Sequence, residues 1–225
     1  NGYLNLSGEY RNRDSTNRTG PDTRAQYLPG DPRNDIPALN DRIDSWVGDP
    51  IATGGSGMCN LDVPLSGDTH LYAFGGFSYE HGLAAGFFRR ALDDRTVRAL
   101  YPNGYLPEIE SHIWDLSEAT GVKGLLGGWS DLGSVFGRNS FRYNVDQSVN
   151  VSMGTTSPTK FDAGTMTFDQ WTTTLDVQRG FNVGWSQPLS VAWGAEFRRD
   201  HYGIAAGDDQ SWQDGGVPIL EGPDS

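Results

Sequence analysis

The amino-acid sequence predicts an all-β protein: an antiparallel meander of long amphipathic strands, as found in a segment of a transmembrane β-barrel. Apolar and polar residues alternate through much of 129–206. The longest stretch keeps this period of two for roughly 20 residues, whereas globular strands run about 5–6. Tight turns and long loops alternate between the strands. Such strands and unequal connections are typical of bacterial outer-membrane barrels.

The first half of the chain contains three of the predicted strands. Alternation begins at 2–12, and the following stretch, 13–53, is rich in Arg, Asp, Asn and Pro, which predicts a long polar loop. A glycine-flanked strand is predicted at 56–65, a tight Ser-Gly-Asp turn at 66–68, and an aromatic-rich strand at 69–80. The long loop and the tight turn therefore lie at opposite ends of these strands.

The second half repeats this arrangement with four further strands. A long loop at 81–109 precedes a strand at 110–125, and glycines within 126–128 turn the chain into the strand that starts at 129. A loop at 151–164 is followed by a strand at 170–183, a turn at 184–188, a strand at 189–206 and a polar tail at 207–225. Short turns on one side and long loops on the other match the polarity of an outer-membrane barrel.

In the last three strands the alternation predicts one apolar surface that faces lipid or a packed partner. Odd-numbered positions are mostly apolar and even-numbered positions mostly polar. The opposite, polar surface is expected to contain Ser134, Arg142, Asp176 and Glu196. The predicted apolar set is Val135, Phe141, Tyr143, Leu175, Val177, Val191 and Phe197.

Two further expectations concern a lipid interface. In the fourth strand, Glu118 shares the parity of Leu116 and Val122. Either this carboxylate lies near an interface or the strand faces away from lipid, and the second interpretation is favoured. The aromatic residues expected to form an interfacial girdle near the strand ends are Trp129, Trp185, Trp193 and Tyr202.

Composition excludes several classes of protein. The net charge of −12 argues against nucleic acid as a partner, because phosphate binding needs a basic face. No apolar run approaches the ~20 residues of a transmembrane helix. The single cysteine, Cys59, cannot form an internal disulfide. The chain opens at Asn1 without a signal peptide or an initiator methionine, and we expect a piece of a longer protein rather than a processed one.

The sequence contains no catalytic or metal-binding motif, and we expect no enzymatic activity, no metal and no cofactor. The paired acids at 93–94 and 208–209 lie in acidic loops, where a solvated role is the simpler expectation. Ser56 lies between two glycines, but no helix follows it, so no nucleophile elbow is predicted. Histidines without HExxH or similar spacing are expected to be structural or solvated, and these are His70, His81, His112 and His201.

Aromatic and arginine side chains in the long loops are the best candidates for ligand contact. Such side chains stack on ligands and make bidentate hydrogen bonds. The simpler alternative is that they pack the loops against one another and against the rim of the sheet. The candidate residues are Trp46, Phe88, Arg89, Arg90, Tyr101, Tyr105 and Trp212.

Five stretches of the chain resemble barrel strands of TonB-dependent outer-membrane receptors, in order and in spacing. They are GYLNLSGEYRNR (2–13), LYAFGGFSY (71–79), AAGFFRR (84–90), YPNGYLPEI (101–109) and GAEFRR (194–199). The resemblance covers nearly the whole chain and is weakest across 14–65. It implies a barrel of about 22 strands in the bacterial outer membrane. An N-terminal plug and energy from an inner-membrane complex would allow such a receptor to import a scarce nutrient.

The chain departs from such a receptor in having no plug, no segment to pair with the TonB-type energy-coupling protein, and about a third of the strands. Seven strands cannot close that barrel, and open edges in lipid leave backbone groups unsatisfied. We therefore expect residues 1–225 to be one partial barrel, inactive in transport on its own. The implied partners are outer-membrane lipid, the remaining strands and plug of the same receptor, the energy-coupling protein through that plug, and a small nutrient ligand.

Two other classes stay open. One is a soluble or surface-exposed β-sheet binding protein that uses the long acidic loops. The other is a secreted hydrolase on a β scaffold, for which the sequence offers no convincing nucleophile. Solubility as a single species without detergent would favour the first, and turnover lost on one substitution would favour the second.

Overall fold

A computed structural model describes residues 2–125 and 129–218 of this chain. They form one seven-stranded antiparallel sheet in which spatial order follows chain order, so the predicted all-β antiparallel meander is confirmed. The strands are β1 (Tyr3–Arg13), β2 (Ile51–Ser66), β3 (Thr69–Ala85), β4 (Glu108–Leu125), β5 (Trp129–Asp146), β6 (Phe161–Phe181) and β7 (Leu189–Ala205).

Several strands extend further into the predicted loops than the local sequence suggests. β2 begins at Ile51, β3 continues to Ala85 and β6 begins at Phe161, because cross-strand pairing continues where the alternation is weak. The tight turn between β2 and β3 is confirmed, and Gly67 adopts a φ of +56° there. The turn predicted at 126–128 and the tail from 219 onward lie outside the described residues.

The long connections emerge from one end of the sheet, which we call the loop end. They span 14–50, 86–107 and 147–160, and residues 206–218 follow β7 at the same end. The opposite end, the turn end, has the connection between β2 and β3 and the one between β6 and β7. This asymmetry agrees with the expectation from the sequence.

The strand register contradicts the predicted apolar surface. Directly paired residues of antiparallel strands project from the same face. Between β5 and β6, Val135 lies opposite Thr172 and Ser134 opposite Thr173, so odd residues of β5 share a face with even residues of β6. Two mixed groups result: Leu175, Val177, Val191 and Phe197 with Ser134 and Arg142, and Val135, Phe141 and Tyr143 with Asp176 and Glu196.

The prediction was wrong because it carried one parity through a long connection. A tight turn fixes the relation between the parities of two strands, but residues 147–160 impose no such constraint. A register shift at Tyr143 and Asn144 changes the relation once more near the loop end. The faces of β5 and β6 are therefore decided by long-range pairing.

The sheet is a single layer over the described residues. A globular domain normally buries its sheet against a second layer, but the helical elements here are four short 3-10 segments. Most of the buried side chains lie in the loops, including Tyr27, Gln26, Ala91 and Thr96. No helix in the described part of the chain is long and apolar enough to span a membrane.

Candidate functional site

One face of the sheet, which we call the belt face, carries a band of exposed apolar side chains. The register brings together the even-numbered residues of β1, β4 and β5 with the odd-numbered residues of β2, β3, β6 and β7. A contiguous exposed apolar patch on this scale marks an interaction surface. Its large members, each at least 37% exposed, are Leu4, Leu6, Tyr10, Phe77, Trp114, Leu116, Val122, Leu132, Phe136, Trp171, Phe181, Leu189, Val191, Trp193 and Phe197.

This band, the apolar belt, runs obliquely across the strands. In β3 it extends from Leu71 to Tyr79 and in β7 from Leu189 to Phe197, nine residues in each strand. Through the pairing of β4, β5 and β6, Tyr79 of β3 aligns with Gly203 of β7. The belt in β7 ends at Phe197, which lies six residues closer to the turn end than Gly203. At about 3.3 Å per residue and about 4.8 Å per strand, this offset over four strand steps corresponds to an angle of about 45°.

Aromatic rings mark the loop-end edge of the belt, and charged side chains lie beyond it. Tyr79 and Trp114 are cross-strand partners whose rings are 4.4 Å apart, and Tyr10 lies in the same row. Beyond this edge, the Arg142 guanidinium is 2.6 Å from the Asp162 carboxylate. The belt therefore ends at a defined boundary between apolar and ionic surface.

The predicted girdle residues are distributed differently. Trp193 lies on the belt face, where it pairs with Val177. Trp129 pairs with Gln178 and Tyr202 with Phe168, on the opposite face of the sheet, and Trp185 lies in the exposed turn. The aromatic edge at Tyr79 and Trp114 was not recognised from the sequence, because it depends on strand pairing.

Glu118 lies within the belt. It is exposed, and its cross-strand neighbours are Gly75 and Phe136. Since Leu116 and Val122 flank it on the same face, β4 contributes to the belt. The favoured interpretation that this strand faces away from lipid stays a prediction.

The other face of the sheet, the polar face, is crossed by side-chain hydrogen bonds and ion pairs. The Asp62 carboxylate lies 2.6 Å from His70 Nδ1 and 2.9 Å from Lys123 Nζ. Closer to the loop end, Asn139 Nδ2 donates to Asp115 Oδ1 at 2.7 Å. These contacts link neighbouring strands. The same face also exposes eight large apolar side chains, Tyr3, Met58, Phe74, Trp129, Val135, Phe168, Tyr202 and Ile204.

Loops 14–50 and 86–107 fold together into one unit, the loop assembly. The Tyr27 side chain is 1% exposed, and its hydroxyl donates to Asn103 Oδ1 at 3.1 Å. Arg33 Nη1 donates to the Pro102 carbonyl oxygen at 2.8 Å. Hydrogen bonds of this kind hold a long polar segment in a defined shape, although its regular secondary structure is limited to two short 3-10 segments.

The same local hydrogen-bonding motif occurs three times in this assembly. An aspartate accepts the backbone N–H of the arginine two residues later and also its guanidinium. The hydrogen bond from Arg33 lowers the pKa of Asp31 to about 2. The repeated Asp-x-Arg spacing was the available sequence signal, and it was missed. The pairs are Asp22–Arg24, Asp31–Arg33 and Asp93–Arg95.

Three of the predicted ligand residues line one cavity of about 830 Å³ at the loop end. Trp46, Arg89 and Tyr105 contribute to its wall, and Ile109 and Val145 reach it from the polar face of the sheet. The volume is in the range of small-molecule sites. Burial raises the pKa of the Tyr105 hydroxyl to about 12, so the cavity offers a neutral phenol beside a guanidinium.

The other four predicted ligand residues are placed differently. Trp212 lines an adjacent cavity of about 750 Å³, which shares Val145 with the first. Tyr101 stacks on Tyr105 and donates to the Ser148 carbonyl oxygen at 3.1 Å. Both remaining residues contact the first long loop: Arg42 lies over the ring of Phe88, and Arg90 donates to the Ala25 carbonyl oxygen at 2.9 Å.

His81, Glu110 and His112 meet on the belt face, just beyond its aromatic edge. Glu110 Oε1 is 2.8 Å from His81 Nε2 and 3.6 Å from His112 Nε2. The spacing along the sequence predicts isolated histidines, because the two residues lie on different strands. Their direct cross-strand pairing brings them together, with ring centres 5.0 Å apart.

Comparison with known proteins adds no relative. A scan against models of protein families, a search of curated proteins and a search of solved structures each gave no match. Fold and surface together define the class as a single-layer antiparallel meander, with an oblique apolar belt on one face and a loop assembly at one end.

Proposed function

We propose that this chain forms part of the wall of an outer-membrane β-barrel, with the belt face in contact with lipid hydrocarbon. The observation that carries the proposal is the oblique belt from Leu71–Tyr79 in β3 to Leu189–Phe197 in β7. Membrane-spanning strands need about 9–11 residues at a tilt of about 45°. The height and the angle of the belt both agree with this geometry.

A hydrocarbon slab accounts for the obliqueness of the belt. Its two boundaries are planes, and strands tilted against those planes must cross them at successively shifted residues. Both edges of the belt shift by the same six residues between β3 and β7, so the belt has the same height in these two strands at different positions along them. A soluble binding protein would have to cover this band with a second layer, and the described residues contain none.

The polar face would then line an aqueous lumen, with the loop assembly over its outer mouth. Ile109 and Val145 belong to this face and also border the 830 Å³ cavity, so a ligand captured there would lie on the route inward. Trp46, Arg89 and Tyr105 supply stacking surface, a cation and a neutral hydroxyl. These groups suit a small ligand with planar and anionic parts.

Within this class, the proposed function is that of a TonB-dependent receptor segment that binds and imports a scarce small nutrient. The ordered resemblance of 2–13, 71–79, 84–90, 101–109 and 194–199 to strands of such receptors supports it. Import would need the remaining strands, the plug and the energy-coupling protein, and the role of this segment is binding and passage without a catalytic step. β1 and β7 are the outer strands of an open sheet, where further barrel strands would pair.

Cysteine labelling of variants expressed in the source cells, in outer-membrane vesicles where the remaining strands are present, tests the orientation. In a Cys59→Ser background, Phe77→Cys places a thiol on the belt face and Ser78→Cys places the matched thiol on the polar face. A charged, membrane-impermeant maleimide should label Ser78→Cys at least tenfold faster. Equal labelling, or a chain that stays monodisperse in water without detergent or lipid, would contradict the proposal and favour a soluble binding protein.

The receptor assignment needs a separate measurement. An antibody raised against 14–50 should detect, in the outer-membrane fraction of the source cells, a polypeptide several times larger than 24.6 kDa. Detection only in soluble fractions, or only at the mass of this chain, would overturn the assignment to a full-length receptor.

A further inference from the structure

The side chains of His81, Glu110 and His112, which we call the rim triad, form a second candidate site outside the loop assembly. His81 and His112 are direct cross-strand partners, and Glu110 projects from the same face two residues along β4. One ligand atom from each lies within 4.8 Å of the others. We propose that the rim triad binds a zinc ion, which clamps β3 to β4 and keeps one coordination position open.

The distances suit this ion. Zinc binds imidazole nitrogen and carboxylate oxygen at about 2.0–2.2 Å, so ligand atoms of a tetrahedral site lie about 3.3 Å apart. The distances from Glu110 Oε1, 2.8 Å to His81 Nε2 and 3.6 Å to His112 Nε2, fall on either side of that value. Zinc would take the place of the proton that His81 and Glu110 share, with small side-chain rotations.

Two neighbouring side chains orient the triad as the outer contacts of metal ligands do. The Tyr79 hydroxyl is 2.8 Å from His112 Nδ1, which leaves Nε2 of that ring directed at Glu110. Asn144 Nδ2 donates to Glu110 Oε2 at 3.1 Å, which leaves Oε1 for the two histidines. Hydrogen bonds from neighbouring groups to metal-ligating side chains fix the ring orientation and the tautomer at metal sites.

The surroundings provide access for the ion. A groove of about 570 Å³ borders the triad and is lined by Tyr10, Thr53 and Gly55 of the adjacent strands. All three triad side chains are half-buried, with 24–34% of their surface accessible. Gly55 presents no side chain toward the groove, so the open position can accept water. Two imidazoles and one carboxylate form a known ligand set for zinc with a free fourth position.

The clamp would lie at the base of the second long loop. β3 ends at Ala85 and β4 begins at Glu108, so a zinc ion bound between His81 and His112 would reinforce the paired stem from which 86–107 projects. This loop carries Arg89 and Tyr105 of the 830 Å³ cavity. The proposal does not depend on the membrane assignment, because the three side chains converge through strand pairing alone.

Titration of the full chain with Zn²⁺ and Co²⁺ tests the proposal. We expect saturable Zn²⁺ binding with a stoichiometry of one, and intense visible absorption bands of bound Co²⁺ that indicate four-coordination. His81→Ala and His112→Ala should each weaken Zn²⁺ binding at least 100-fold, and Glu110→Gln at least tenfold. Tyr79→Phe and Asn144→Ala, which keep the ligands, should weaken it about 10–100-fold.

His70→Ala is the matched control. It removes a histidine that contacts Asp62 on the polar face, outside the triad, and should leave Zn²⁺ affinity unchanged. The far-ultraviolet circular dichroism of each variant shows whether the sheet is retained. Absence of saturable binding up to 1 mM Zn²⁺, unchanged affinity in a folded His112→Ala variant, or an equal loss in His70→Ala would each overturn the site.

Discussion

The Tyr72 hydroxyl donates a 2.8 Å hydrogen bond to Asp131 Oδ1, although the two residues lie two strands apart in β3 and β5. The tyrosine side chain crosses β4 at Gly121, and the register aligns Tyr72, Gly121 and Gly133 in one row. A Cβ atom at either glycine would collide with the Tyr72 hydroxyl. The two glycines therefore provide the space through which three strands are tied on the polar face.

Gly121→Ala should destabilise the sheet by displacing Tyr72 from this position. We expect the free energy of unfolding to fall by about 1–3 kcal/mol, since the added methyl group overpacks a filled site. Denaturant unfolding in detergent micelles measures the change. Gly137→Ala is the control, because the nearest atom to a Cβ there is 3.9 Å away and no steric cost arises. Equal losses in both variants would show that Tyr72 does not depend on the glycine row.

Glu118→Leu should stabilise the protein in lipid vesicles. The carboxylate lies in the apolar belt, and a charged side chain on a lipid-facing surface is destabilising, although an acidic one less so than Arg or Lys. Its removal should therefore raise the free energy of unfolding by up to about 2 kcal/mol. Glu196→Leu, on the polar face and within the height of the belt, is the matched control and should give no gain. A larger gain from Glu196→Leu would show that the polar face, and not the belt face, contacts hydrocarbon.

The loop assembly should lose stability in strong alkali. Burial raises the pKa of Tyr105 to about 12, and its hydroxyl donates to the Arg95 carbonyl oxygen at 3.1 Å. An unfolded tyrosine ionises near pH 10, so the stabilisation is complete below about pH 10 and is lost as the pH rises through about 12. Absorbance at 295 nm should show a late-titrating component, and Tyr105→Phe should reduce its amplitude by one tyrosine. A titration in which all tyrosines ionise near pH 10 would contradict the burial.

Tyr27→Ala should separate the two long loops. The ring is 1% exposed and bridges to Asn103, so its loss leaves a cavity and an unpaired amide, at a cost of about 3 kcal/mol to the loop assembly. Limited proteolysis should then cleave 86–107 faster. Leu28→Ala, at a side chain that is 46% exposed, should change the rate little. Equal sensitivity in both variants would mean that the loops are held by other contacts.

Local sequence was enough to predict the strands, because alternation and turn composition act over a few residues. Long-range pairing decided what it missed. The parity of β5 relative to β6 depends on the register across 147–160, and the rim triad depends on His81 meeting His112 from another strand. The cavity at Trp46, Arg89 and Tyr105 depends on how two irregular loops fold together, for which no periodic signal exists.

The oblique belt implies that a bilayer would discriminate against incorrect registers of strand pairing. A slip of two residues between β4 and β5 would keep every side chain on its proper face, so the sheet alone would tolerate it. The same slip would shift the belt on β5 by about 6.6 Å relative to its neighbours, at about 3.3 Å per residue. Arg138, which lies just beyond Phe136, would then enter the hydrocarbon. Membrane thickness would thus select the register that hydrogen bonding leaves open.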